Sequence, residues 1–249
     1  MTRKPFLIFD AGGVLVFPNF NILAKIGNRA GINTSPPEIA EAHARLFWGL
    51  DVHIAQYHQF PTISYFLDIF KQITDSEEKA IAAFELTVQA DKIKHIWTTT
   101  RPWVGESLRK LKKQGYQMAV ISNSDGRVDQ ILQDLDIRGY FEIVIDSFVV
   151  GVEKPDSRIF EIALQTLNWD PDDTIYLGDI FYIDIWGANQ AGLGAIHLDM
   201  MGLYNGWEGI HIPSIQQLPN LLAKMDGNLQ KWDLFPARDF IVRENSQPY

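Results

Sequence analysis

The chain has 249 residues and is 46% hydrophobic, enough to bury a core in one α/β domain with an insertion or in two modest domains. With no cysteine, it carries no disulfide framework, zinc–thiolate cluster or thiol nucleophile. A net charge of −9 with no Lys/Arg cluster argues against a nucleic-acid partner, and no apolar run approaches the ~20 residues that span a bilayer, which argues against a membrane one.

The opening MTRKPFLIFDAGGVLV sets basic residues before apolar ones, faintly like a signal peptide, but Asp10 interrupts the run and no small-residue cleavage site follows. Pro5–Asp10 therefore reads as a strand buried on both faces and broken by Gly12 and Gly13, in a protein expected to be cytoplasmic. Residues 17–96 then show helical patterns with few strand signals, over Pro36–Leu50, Ile63–Ile73 and Ser76–Ala90. Eighty such residues between the first two strands predict an inserted helical domain.

From Val104 the pattern alternates. Val104–Lys113 predicts a helix with basic residues late and Gly115 as its stop, and Gln117–Ser122 (QMAVIS) a buried strand. Arg127–Leu135 is helical in spacing, Phe141–Ile145 strand-like, and Ser157–Leu167 helical, with Pro155 just ahead of its start. Thr174–Asp179 (TIYLGD) is another buried strand, Ile185–Ala191 a short helix of small residues, and Gly194–Leu198 (GAIHL) a weaker strand. Ser214–Met225 is the final predicted helix; the tail beyond it, with Trp232, Phe235 and Phe240, remains unassigned. No internal repeat or low-complexity tract is present. Strands alternating with helices predict an α/β, doubly wound parallel sheet (a Rossmann-like core) with an inserted α-helical cap: residues 1–16 and 97–225 as core, 17–96 as cap, 226–249 as tail.

Open α/β sheets bind ligands at the carboxyl ends of their strands. Here Asp10, Ser122 and Asp179 end three predicted strands, Asp184 follows Asp179 after a short turn, and Lys154 lies in the loop before a core helix. Each alone reads more simply as a cap, a turn former or a solvated side chain. The ordered set FLIFDAGGVLV, VISNSD, GVEKPDSRIF and GDIFYIDIWGANQAG resembles the four motifs of the haloacid dehalogenase superfamily, and the insertion falls where that family places its first type of cap.

The resemblance implies a Mg²⁺-dependent hydrolase of a small phosphorylated metabolite. Asp10 would be the nucleophile that forms an aspartyl-phosphate. Asp10, the Gly12 carbonyl and Asp179 would hold Mg²⁺, with Asp184 as a further ligand or as an anchor for metal-bound water. Ser122 would donate to a phosphoryl oxygen, Lys154 would neutralise charge on Asp10 and the transferring group, and backbone N–H groups after Asp10 and around Asn123 would cradle the remaining oxygens. The expected state is a monomer or homodimer.

One position departs from the family. Its phosphatases carry a second aspartate two residues after the nucleophile, as general acid and base, and here that residue is Gly12. Glycine keeps a carbonyl for the metal but offers no proton shuttle, a loss worth about 10²–10⁴ in rate. Three readings follow: a weakened or catalytically impaired binding protein, an enzyme for substrates whose leaving group needs little protonation, or a proton supplied by His43, His53 or His58 of the insertion. Asp179 argues against dehalogenation, whose enzymes in this superfamily lack the Gly-Asp of the last motif. Phe17, Phe20, Phe47, Trp48, Tyr57 and Phe60 give the insertion an aromatic character that cap packing explains, and Arg45 is a candidate second anchor for an anionic substrate.

Overall fold

The computed structural model describes residues 4–225. The tail, with Trp232, Phe235 and Phe240, lies outside them. Eight strands are β1 (Phe6–Phe9), β2 (Phe17–Pro18), β3 (Trp97–Thr99), β4 (Met118–Ser122), β5 (Val144–Asp146), β6 (Thr174–Gly178), β7 (Gly194–Leu198) and β8 (Ile210–Ile212). The α-helices are α1 (Phe20–Arg29), α2 (Pro36–Tyr57), α3 (Tyr65–Lys71), α4 (Glu77–Ile93), α5 (Pro102–Lys113), α6 (Val128–Asp134), α7 (Ser147–Val150), α8 (Ser157–Leu167), α9 (Trp186–Gln190) and α10 (Leu218–Lys224).

Two compact units result. Among the described residues, one holds 4–17 and 100–225; the other is Pro18–Thr99. In the first unit six strands form one parallel sheet in the order β5-β4-β1-β6-β7-β8. β1 sits between β4 and β6, with Phe9 paired to Val120 on one side and to Leu177 on the other. The chain order reverses direction about β1, so the carboxyl ends of β1, β4 and β6 flank the crevice where such sheets bind ligands.

All four residues of β1 are buried, as an unalternating apolar strand requires when both sheet faces are covered. Phe6 and Ile8 point to one face with Ala119, Ile121 and Tyr176, against Ile159, Phe160, Ala163 and Leu164 of α8. Phe6 stacks on Trp169, ring centroids 4.4 Å apart. α5 begins on Pro102, whose missing N–H costs nothing at a first helical position, and ends with Lys110, Lys112 and Lys113, which suit the negative end of the helix dipole.

The second unit packs Phe20, Leu23, Ile39, Leu46, Ile69, Phe70, Ala80 and Ala83 into a core of its own. α2 opens with Pro36 at its first position and a capping box between Ser35 and Glu38, which satisfies otherwise unpaired N–H groups. β2 and β3 pair in a small separate sheet.

Three details differ from the sequence expectations. The strand expected over Phe141–Ile145 begins at Val144, separated by three residues from a 3₁₀ turn over Arg138–Tyr140, and runs to Asp146. β8 adds an edge strand beyond GAIHL; three residues are too few to give a periodic signal. α1 lies in the stretch read as helical but was given no bounds of its own, although Phe20, Leu23, Ala24 and Gly27 bury at helical spacing.

Candidate active site

The end of β1 turns sharply. Leu15 and Val16 N–H groups both donate to the Ala11 carbonyl (2.9 and 2.8 Å), and Gly13 N–H donates to Val16 (3.0 Å). Gly13 takes φ +69°, which side-chain-bearing residues rarely adopt. A Cβ there would lie 1.8 Å from Asp179 Oδ2, so the turn after Asp10 is packed directly on the carboxylate that ends β6. Gly178 is equally constrained: a Cβ on it would come within 2.2 Å of Asp184 Cβ.

These close approaches bring one carboxylate oxygen each of Asp10, Asp179 and Asp184 within 4.8 Å of one another. Lys154 supplies the opposing charge. Its Nζ lies 2.9 Å from Asp10 Oδ1, 2.6 Å from Asp184 Oδ1 and 2.9 Å from the Tyr176 hydroxyl. An ammonium has three N–H groups, and here three acceptors meet them. Lys154 is 2% exposed, so a phosphoryl oxygen reaches Nζ only by displacing one of those partners.

Asp10 Oδ1 also accepts the Ala11 N–H at 2.7 Å. Both contacts fall on Oδ1, which turns Oδ2 free of them. Asp184 is used on both oxygens: Oδ1 by Lys154 and, at 3.3 Å, the Tyr176 hydroxyl, and Oδ2 by the N–H groups of Asp179 (3.1 Å) and Ile180 (3.0 Å). Tyr176 in turn lies 3.2 Å from the Ile121 carbonyl, tying β6 to β4 beneath the ammonium.

Three carboxylates and one ammonium formally leave two negative charges uncompensated, and the proton affinities of the cluster shift accordingly. Burial, partly offset by Lys154 and reinforced by Asp184, pushes Asp10 up to about 7. Burial, then the charges of Asp10 and Asp184, push Asp179 well above the usual carboxylate range. Burial alone would lower Lys154, but Asp10 and Asp184 outweigh it and hold it up as a cation. Burial and the same carboxylates keep the Tyr176 hydroxyl protonated. A hard divalent cation relieves this excess, and the donor set is all oxygen.

The remaining sequence candidates sit close by in chain and sheet. Ser122 is buried at the end of β4, two residues past the Phe9–Val120 pair. The Asn123 side chain faces the Lys154 backbone, donating to its carbonyl (2.9 Å) and accepting its N–H (2.8 Å). It aims the Lys154 loop. Gly12 bridges to Val16 within the turn. Tyr176, Gly13 and Gly178 were not singled out from sequence; TIYLGD held Tyr176 as one more buried strand residue, and the Gly-Gly after Asp10 was the only hint of the close approach.

In the helical unit, His43 is buried with Nδ1 2.7 Å from the Tyr65 hydroxyl and Phe20, Phe47 and Trp97 rings around it, the setting of a packing histidine. Arg45 pairs with Glu41 at an exposed position. No helix among the described residues is long and apolar enough to cross a membrane.

A parallel sheet with Asp10 at the tip of its central strand and a Gly-Asp tip beside it is an α/β hydrolase core, and residues 6–192 match the family model of haloacid dehalogenase-like hydrolases; the chain belongs to that family. Its curated relatives include haloacid dehalogenase-like hydrolase domain-containing protein 3 of Mus musculus, 38% identical over 35% of either chain. Glyceraldehyde 3-phosphate phosphatase of Pyrococcus furiosus is 31% identical over 51% of this chain and 56% of its own. The alignments thus span about a third to just over half of these relatives' lengths. Among solved structures, a HAD phosphatase from Thermococcus onnurineus (TM-score 0.56, 19% identity, 88% of this chain and 98% of that one) and a 2-haloacid dehalogenase from Pseudomonas syringae pv. Tomato (TM-score 0.56, 22%, 89% and 99%) share the fold.

The Gly13 contact is directly testable. Gly13→Ala is expected to lower thermal stability through both the positive φ and the collision with Asp179, a combined cost of more than the ~1 kcal/mol of the backbone effect alone. In an Asp179→Ala background only the backbone part should remain, so melting curves across the double-mutant cycle should show strong coupling; additive losses would place Asp179 elsewhere.

Proposed function

We propose that this chain is a Mg²⁺-dependent phosphomonoesterase acting on a small phosphorylated metabolite, with Asp10 as nucleophile. The observation that carries the reading is the convergence of Asp10, Asp179 and Asp184 around Lys154 with two negative charges in excess. Phosphatases among the relatives support it.

Asp10 and Asp179, with the Gly12 carbonyl, would hold the cation; Asp184, engaged on both oxygens, serves by holding Lys154 and the backbone of Asp179 and Ile180. When bound, the cation offsets repulsion between the Asp10 carboxylate and a phosphate dianion. Lys154 and the Ala11 N–H hold Oδ1, so Oδ2 is the oxygen left to attack phosphorus. That bond forms as the bond to the leaving oxygen breaks, giving an aspartyl-phosphate on Asp10; water then attacks phosphorus, releasing phosphate and restoring the carboxylate. Ser122 and the Asn123 N–H would donate to the phosphoryl oxygens.

With Gly12 in place of an acid, the leaving oxygen takes its proton from water, or leaves as an anion when its own acidity allows. A second reading, a catalytically impaired binding protein with the same cation site, is favoured by Gly12 alone.

Hydrolysis of p-nitrophenyl phosphate decides between them. Turnover that requires Mg²⁺, stops with chelator and falls at least 10³-fold in Asp10→Asn is expected; cation binding without turnover of any phosphate ester tested would leave the binding protein. Gly12→Asp should raise kcat for alkyl phosphates by about 10-fold or more while changing the aryl ester little; equal effects on both would show that leaving-group protonation is not limiting.

The same geometry sets a pH dependence. The metal-free site keeps a proton on Asp10 below about pH 7, and the cation must displace it. Apparent Mg²⁺ affinity, read by calorimetry, is therefore expected to rise from pH 6 to pH 8 and to weaken about 10-fold per unit below 7 for each proton displaced. A flat profile would mean Asp10 takes no part in binding.

A further inference from the structure

Asp179 poses a mechanical problem. Lys154 bonds to Asp10 and Asp184, while the Asp179 carboxylate is pushed away by both of those neighbours and still faces them. What holds it there is its backbone. Its N–H donates to Asp184 Oδ2 at 3.1 Å, and its carbonyl lies 3.1 Å from His197 Nε2.

His197 comes from β7, where it pairs in register with Gly178, the residue before Asp179. The ring is buried and packed edge-on against Tyr204 and Phe181, with centroids 4.2 and 5.8 Å away. Its other nitrogen, Nδ1, is 3.0 Å from Nδ1 of His211 on β8, and His211 Nε2 is 3.1 Å from the Glu208 carbonyl. The chain of contacts therefore runs from the Asp179 carbonyl through two imidazoles to the edge of the sheet.

A carbonyl only accepts, so His197 Nε2 carries a hydrogen toward Asp179. The two Nδ1 atoms lie 3.0 Å apart, so one hydrogen lies between them, and a neutral His197 that spends its hydrogen at Nε2 accepts it from His211 Nδ1–H. The contact between the two Nδ1 atoms therefore couples the tautomers of the two rings. His211 thus fixes which nitrogen of His197 is protonated, as outer partners of ligand histidines do elsewhere.

We infer that His197 is a positioning residue: its Nε2–H clamps the Asp179 carbonyl and, with Asp184 on the amide side, holds the Asp179 carboxylate at the cation site, while His211 locks the required tautomer. The inference rests on the proposed cation site for its consequence, though not for its geometry.

The test uses the full chain, with Mn²⁺ as the probe ion and ¹⁵N spectra of the histidine rings. In metal-free wild type, His197 is expected to show a protonated Nε2 and a bare, hydrogen-bonded Nδ1; an Nδ1–H tautomer overturns the inference. His211→Phe should cost His197 that fixed tautomer, and an unchanged His197 spectrum overturns the role of His211. Gln places an N–H at the reach of Nε2, whereas Leu has none. His197→Gln is therefore expected to keep Mn²⁺ affinity within about 3-fold of wild type, and His197→Leu to lose 10-fold or more while melting cooperatively. A folded His197→Leu that binds as wild type does overturns the clamp. If wild type itself holds no Mn²⁺, the cation reading fails, and the ring spectra still decide whether His197 clamps the carbonyl.

Discussion

Repulsion among three buried carboxylates governs this site. Like charges inside a protein interact far more strongly than in water, and each buried carboxylate also forfeits its hydration. A structure that brings Asp10, Asp179 and Asp184 within 4.8 Å stores that cost locally. Lys154 offsets part of it, and its full set of three acceptors shows how tightly it is committed. The rest appears as raised proton affinity at Asp10 and Asp179 in the absence of another cation. Protons and the proposed divalent ion would compete for the same vacancy of positive charge, so cation binding, proton release and local stability would form one linked equilibrium.

The sheet supplies the rigidity this requires. Asp10 and Asp179 ride on neighbouring parallel strands whose register is fixed by Phe6–Phe9 against Thr174–Leu177, and β1 and β6 are buried throughout. Around this pair the protein uses side chains to hold backbone. Asn123 grips both polar groups of Lys154, Asp184 takes the amides of Asp179 and Ile180, and Asp146 at the end of β5 accepts from Gly126 and Phe148. Groups that would otherwise drift apart under their mutual repulsion are thus pinned from outside the cluster, which is how precise sites are usually supported.

How much of this was legible in the sequence depends on the range of the interaction. The parallel sheet was, because strands covered on both faces are uniformly apolar, and FLIF, MAVIS and TIYLG stand out against the helical spacing between them. The charged members were, because Asp10, Lys154, Asp179 and Asp184 occur in an ordered set of motifs. Tyr176 was not: within a buried strand its hydroxyl gives no pattern, and only the fold sets it beneath Lys154. Nor was the contact of Gly13 with Asp179, which joins residues over 160 positions apart; the sequence shows a turn there but not what the turn rests on. β8 and the His197–His211 pair were missed for a related reason, since three-residue strands carry too little periodicity to place.

The commitment of Lys154 and Asp184 bears on how the missing acid at Gly12 is to be understood. In a site where Lys154 had an N–H to spare, the ammonium could lend its charge directly to the departing group. Here its three donors go to Asp10, Asp184 and Tyr176, and Tyr176 is itself kept protonated by burial and by Asp184. Neither group stands ready to give up a proton to a leaving oxygen without breaking the arrangement that orients Asp10. On the proposed phosphatase reading, the site would stabilise charge on the nucleophile and on phosphorus, and would leave the fate of the leaving group to that group's own acidity. Under that reading, selection among phosphate esters would follow from chemistry before shape: esters of acidic hydroxyls and acyl phosphates would suit this cluster, whereas simple alkyl phosphates would need a proton from solvent.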